Sequence, residues 1–244
     1  MADESELVPL LAMAMAATLA SWIGAVAGTG GTTVLLPVLV YFLGVKDAIP
    51  VLTICNLTSN LSRSWFNRKR IDLKVVAWFA AGGVPLVALG AYFFTMATPT
   101  LLLRALGVFL LVVVAWRRLA PRAPRISSVR AFAPLGGVFG FLYGFTEGVG
   151  PLMAPFFLAY GMTKGVYIGT DALATFIVQA TKLAIFGSMD VLLGNIIVQG
   201  LVLAPFMVLG SWIGRHTVDR IAPATFTAII DVVLVVSALS FLFA

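Results

Sequence analysis

Gly144-Phe145-Thr146-Glu147-Gly148-Val149-Gly150-Pro151 separates an apolar run ending at Phe145 from an apolar run of only 11 residues, Pro151 to Gly161. A second such interruption, Gly28-Thr29-Gly30-Gly31, precedes another short run, Val34 to Gly44. A helix of this length rises about 16–20 Å, less than the ~30 Å hydrocarbon core of a bilayer. The two short runs therefore read as second arms of broken or re-entrant helices. Around them lie longer runs, Leu7 to Ala27, Ala48 to Phe66, Leu73 to Thr95, Pro99 to Trp116, Ala131 to Phe145, Gly165 to Gly187, Leu192 to Gly214 and Pro223 to Phe243. Several exceed the ~18 residues that mark a span. The fold class is an all-α membrane protein.

Composition agrees. The 244 residues are 61% hydrophobic and 11% charged, against about 25% charged in soluble domains. Net charge is +6, from 16 Lys and Arg against 10 Asp and Glu; basic loops beside spans account for it without nucleic acid. Cys55 is the single cysteine, which excludes an internal disulfide and a cysteine metal cage. The acidic start, Met1-Ala-Asp-Glu-Ser-Glu, lacks the basic segment of a signal peptide, so the first apolar run is expected to stay.

Basic residues cluster at 67–74, 117–130 and 215–220, while the loops near Thr95 and Ser188 have none. The positive-inside rule makes the three basic loops cytoplasmic. Lys164 joins them, Lys46 falls outside, and Arg63, Arg104 and Lys182 remain within spans. Gly30, Pro37 and Ile71-Asp72 recur 118 positions later as Gly148, Pro155 and Met189-Asp190, and Pro85 to Gly90 matches Pro205 to Gly210 at an offset of 120. Two repeats, 1–119 and 131–244, joined by a basic linker, 120–130, then place equivalent loops on opposite sides. Each is a broken or re-entrant helix pair followed by three transmembrane helices, the inverted-topology build of many secondary transporters.

Gly24-Ala-Val-Ala-Gly28-Thr-Gly30-Gly31-Thr-Thr-Val-Leu-Leu-Pro37, followed by a short apolar arm, a helix with small polar residues and an Arg/Lys/Arg-Ile-Asp loop, resembles the sulfite exporter TauE/SafE family over nearly the whole chain. The resemblance implies a bacterial inner-membrane transporter, usually an exporter, of small sulfur-containing anions such as sulfite or sulfonates. Two departures bear on the substrate. Gly-Thr-Thr stands where the family has a run of glycines, and the second copy carries Glu147 in a tip two residues longer than the first.

The residues themselves support an anion site. A helix broken in mid-membrane leaves backbone N–H groups that only protein or a wet cavity can satisfy, and the arms restarting after Gly31 and Gly150 aim N-terminal partial positive charge inward. Gly28, Thr29, Gly30, Gly31, Thr32, Gly148 and Gly150 are the candidate tip residues. Gly82, Gly83 and Gly107 read instead as close helix crossings. Thr53, Asn56, Asn60 and Arg63 follow spacings of three, four and three, and Asp171, Thr175, Gln179 and Lys182 spacings of four, four and three; each set occupies one helix face. Asn56, Asn60, Arg63, Gln179 and Lys182 complete the substrate-binding candidates, with Arg63 and Lys182 expected near opposite mouths unless they simply snorkel.

Glu147 and Asp171 are the proton-coupling or gating candidates, because an ionised Glu147 would repel an anion at the tip. A salt bridge from Glu147 to Lys182 or Arg104, tying helices together, is the competing account. Asp231 reads as structural and His216 as a solvated loop residue. No P-loop, His-x-x-Glu-His or Gly-x-Ser-x-Gly pattern occurs, so no enzyme activity, cofactor or metal is expected. The implied partners are a small anion, the lipid bilayer and protons, with a homodimer left open. A passive anion channel shares these features, and a membrane scaffold is the third class.

Overall fold

A computed structural model describes residues 4–27, 31–119, 126–217 and 234–243. Among the described residues ten α-helices run in order: α1 (Glu4–Ala27), α2 (Gly31–Leu43), α3 (Val45–Phe66), α4 (Leu73–Met96), α5 (Pro99–Leu119), α6 (Phe132–Phe145), α7 (Gly150–Ala159), α8 (Lys164–Ser188), α9 (Gly194–Thr217) and α10 (Leu234–Phe243). Among the described residues there is no strand. The apolar runs become helices nearly where hydropathy places them. Two boundaries move: α5 continues to Leu119 and α9 to Thr217, so 117–119 and 215–217 are helix rather than loop.

Helices α4, α5, α8 and α9 are long and apolar enough to cross a bilayer. Helix α3 has the length, 22 residues, or about 33 Å, but its polar stripe lowers its hydropathy. Thr53, Asn56 and Asn60 are buried, so that stripe meets protein instead of lipid. Large apolar side chains such as Leu89, Tyr92, Leu201 and Trp212 are exposed, as a lipid-facing surface requires. The chain is a multi-pass membrane protein.

Glycine governs how closely the helices approach. A Cβ at Gly82 or Gly90 of α4 would collide with the carbonyls of Ala133 or Phe141 of α6, and one at Gly140 would lie 2.7 Å from Gly83 Cα. Gly82, Gly83 and Gly107 thus take the packing role that small residues have in membranes. Gly210 of α9 sits against the Thr18 carbonyl of α1, where Ser21 Oγ donates to the Met207 carbonyl. The neighbours are interchangeable between halves: α4 packs on α6 as α9 does on α1, α4 touches α8 as α9 touches α3, α2 rests on α3 as α7 does on α8, and α3 faces α8.

The molecule has two distinct ends. At one, Lys46 Nζ donates to the carbonyls of Phe94 (3.2 Å) and Thr95 (3.1 Å), and Thr95 Oγ1 lies 3.7 Å from Met189 Sδ. At the other, the Asp72 amide donates to Thr170 Oγ1 (3.0 Å) and Asn67 Nδ2 to the Arg63 carbonyl (2.8 Å). Asp72 also caps α4, accepting from the amides of Lys74 and Val75.

Candidate functional site at the meeting of two helix breaks

The break between α6 and α7 ends α6 at Phe145 because the chain turns extended at Thr146 and left-handed at Gly148, φ +81. Glycine adopts that conformation without strain, and a Cβ there would also press on Thr33 at 3.1–3.4 Å. Thr33 Oγ1 donates to the Gly148 carbonyl across 3.2 Å. The start of α2 therefore lies directly against the other break. Thr32 Oγ1, beside it, donates to Asn56 Oδ1 at 2.7 Å.

Glu147 is fully buried at this junction. Its Oε1 accepts from Thr53 Oγ1 (2.9 Å) and Lys182 Nζ (2.8 Å), and its Oε2 from Asn56 Nδ2 and Gln179 Nε2 (both 2.8 Å). Lys182 has no solvent exposure either; it also donates to the Thr146 carbonyl at 3.0 Å and lies 5.4 Å from the centre of the Phe186 ring. Each carboxylate oxygen thus receives two hydrogen bonds, one set from α3 and one from α8. Such charge-assisted bonds are about twice as strong as neutral ones. The pair with Lys182, offered by the sequence as one of two alternatives, is formed; Arg104, the other candidate partner, is exposed. Snorkelling does not describe Lys182, whose stem and head both point into protein.

A second polar layer lies toward the end of the molecule that carries Arg68 to Arg70. Arg63 Nη2 bonds Asn60 Oδ1 and sits 3.9 Å from Asp171 Oδ2. Helices α3 and α8 run antiparallel here: Thr53 stands level with Lys182, Asn56 with Gln179, and Arg63 with Asp171. The two stripes legible in the sequence form one continuous seam. Arg63 and Lys182 belong to it at different depths, each with its own carboxylate.

Of the sequence candidates, Gly31, Thr32, Asn56, Gly148, Gln179, Lys182 and Glu147 come together at the junction, with Gly150 at the start of α7. Asn60, Arg63 and Asp171 form the second layer. Gly28, Thr29, Gly30 and Asp231 lie outside the described residues. Three residues join the site that sequence reasoning did not assign to it. Thr53 had been placed on the α3 stripe but not in the binding set, Thr33 adjoins Thr32, and Tyr167 precedes Asp171 by one helical turn, a spacing that was there to be read. Among the described residues no cluster of His, Cys, Asp and Glu can hold a metal.

A buried carboxylate thus accepts from four donors, one of them a buried cation, where the start of α2 meets the break before α7. Comparison with curated proteins and with solved structures yields no match. The family model of sulfite exporter TauE/SafE matches residues 13–241, so that nearly the whole chain, both helix breaks and the seam included, belongs to the TauE/SafE family of sulfite exporters.

Proposed function

We propose that this protein is a secondary transporter that moves a small sulfur-containing anion, sulfite or an organosulfonate, outward across a bacterial inner membrane, with the anion bound where the two breaks meet. The observation that carries the reading is the environment of Glu147. Thr53, Asn56, Gln179 and Lys182 offer four donors converging on two oxygens, a set that serves the oxygens of a sulfite or sulfonate equally well. Glycine at 31, 148 and 150 lets a ligand reach the backbone at both tips. The family's substrate class fits this donor set.

In this reading Glu147 is the resident anion. A buried Lys182 needs one negative charge beside it, since an unpaired buried ion is costly. While the site is empty of substrate, the Glu147 carboxylate supplies that charge. When Glu147 takes up a proton and becomes neutral, the substrate supplies it instead. One proton and one monoanion then occupy the site together, and the charge on Lys182 is balanced in both states. Asn60, Arg63 and Asp171 lie on the approach to this site. The interchangeable packing of the two halves supports an inverted repeat that rocks about the α3–α8 contact to expose the site alternately.

Proteoliposome flux tests the proposal. A sulfonate is the probe of choice because it stays ionised through the neutral range, so any pH dependence belongs to the protein. Uphill accumulation driven by a proton gradient is expected; flux that only follows the sulfonate gradient identifies a channel. Glu147→Gln, a fixed mimic of the neutral carboxyl, should bind the sulfonate with no dependence on pH, read as thermal stabilisation. PH-dependent stabilisation retained in that variant rejects the exchange.

A further inference from the structure

Between the Glu147 junction and the Arg68–Arg70 end, the α3–α8 seam contains buried polar atoms that no protein group satisfies, Gln179 Oε1, Asp171 Oδ1 and Tyr167 OH, and between them Thr175, whose hydroxyl faces that of Tyr143 of α6. The four residues are 0–5% exposed and follow one another at four-residue steps along one face of α8. Arg63 Nε, across the seam, is likewise buried and unpartnered. Buried polar groups are nearly always hydrogen-bonded, through ordered water where protein does not reach. Three such atoms along one stripe of α8, faced by Arg63 Nε from α3, mark a row of water sites. From Gln179 to Asp171 the row covers about 12 Å.

The other end is different. Beyond Lys182 on α8 stands Phe186, whose ring packs on Phe94 with centroids 5.1 Å apart. Phe94 and Phe186 are at most 1% exposed, and on α3 the residues beyond Thr53 in that direction, Leu52 and Ile49, are fully buried and apolar. The junction is polar on one side and dry on the other.

We propose that the seam is a hydrated proton path connecting Glu147 with the Arg68–Arg70 end of the molecule, with Asp171 as its intermediate proton-carrying residue and the Phe94–Phe186 contact closing the opposite end. The inference rests on the proton exchange assigned above to Glu147 and adds its route and sidedness. A proton held at Asp171 Oδ1 passes to a bridging water as that water releases another toward Thr175 and Gln179. Every water in the row gains one proton and loses one, and the last proton forms the O–H bond of Glu147. The groups acting on Asp171 are Arg63 from α3, Tyr143 from α6 and Tyr167 from its own helix. The Arg63 guanidinium, 3.9 Å from Asp171 Oδ2, balances that carboxylate, and the tyrosines add hydroxyls that can hydrogen-bond the water.

The test uses the full-length protein in proteoliposomes. Thr175→Cys should react with a water-soluble methanethiosulfonate, whereas Ile49→Cys should not; the native Cys55, fully buried, provides the background. A folded Thr175→Cys protein that stays unlabelled, or equal labelling at both positions, overturns the path. Asp171→Asn should slow sulfonate-coupled proton uptake by about 10-fold or more, the scale of a positioned proton-transfer group, and Asp171→Glu should restore the rate. Unchanged proton uptake in a folded Asp171→Asn protein overturns the role of Asp171. Failure of the exchange at Glu147 reads out separately, as pH-dependent sulfonate binding by Glu147→Gln.

Discussion

Lys182→Met tests whether the Glu147–Lys182 contact is a coupled pair or two independently tolerated charges. Methionine keeps most of the apolar stem and removes the ammonium. Glu147 would retain Thr53, Asn56 and Gln179 as donors but lose its only buried cation, and the cost of stranding a charge this way is about 3–5 kcal/mol. The lost contact with the desolvated Phe186 ring is worth about 2 kcal/mol, less than the stranded charge. The three surviving donors place the expected value toward the lower part of the range. For a chain of this size, 3–5 kcal/mol corresponds to a fall of about 6–20 °C in Tm. Glu147→Gln leaves Lys182 with the Thr146 carbonyl and an amide oxygen, and should cost a similar amount. The double variant strands no charge; its expected loss is about 1–2 kcal/mol, for donors that no longer all find an acceptor. Thermal unfolding of the four proteins in detergent, at low and high salt, provides the cycle. The double variant should be more stable than either single one, with little salt effect because the pair is sealed from solvent. Additive losses would refute the reasoning, since they would mean that the two charges do not depend on each other.

Two further predictions concern glycine. Gly82→Ala places a Cβ against the Ala133 carbonyl, within the closest helix contact of the fold, and backbone cannot give way as a side chain would; thermal unfolding should show a loss of about 1–3 kcal/mol, and an unchanged midpoint would contradict the packing described for α4 and α6. Gly148→Ala should cost about 1–3 kcal/mol through its left-handed backbone, and it should also lower sulfonate flux more than Gly161→Ala does. Gly161 has φ +95 but open space around it, so equal flux in the two variants would show that only strain matters at 148.

Local rules made the helices legible in the sequence. Hydropathy marks α4, α5, α8 and α9 because most of each helix is apolar over a span's length, and Gly44 and Gly161, both with positive φ, follow the early ends of α2 and α7. The stripes at Thr53 to Arg63 and Asp171 to Lys182 were equally visible, since helical periodicity alone aligns them. Their partners were not. Nothing in the spacing says that Glu147, in a loop, reaches Lys182 35 residues later and leaves Arg104 to the surface, or that Arg63 meets Asp171.

Those pairings depend on antiparallel docking of α3 on α8, which is set by the glycine contacts of α4 with α6 and the seating of α2 and α7 beside the seam. Such choices are made by packing over the whole bundle, where an unpaired buried charge is excluded by its cost. The sequence by itself determined a membrane bundle with two broken helices and two polar faces, because these follow from the solvent each residue prefers. Only the tertiary structure decided that the faces meet, that the buried Lys182 and the half-buried Arg63 each face a carboxylate, and that the seam is polar toward one end and sealed by phenylalanine at the other.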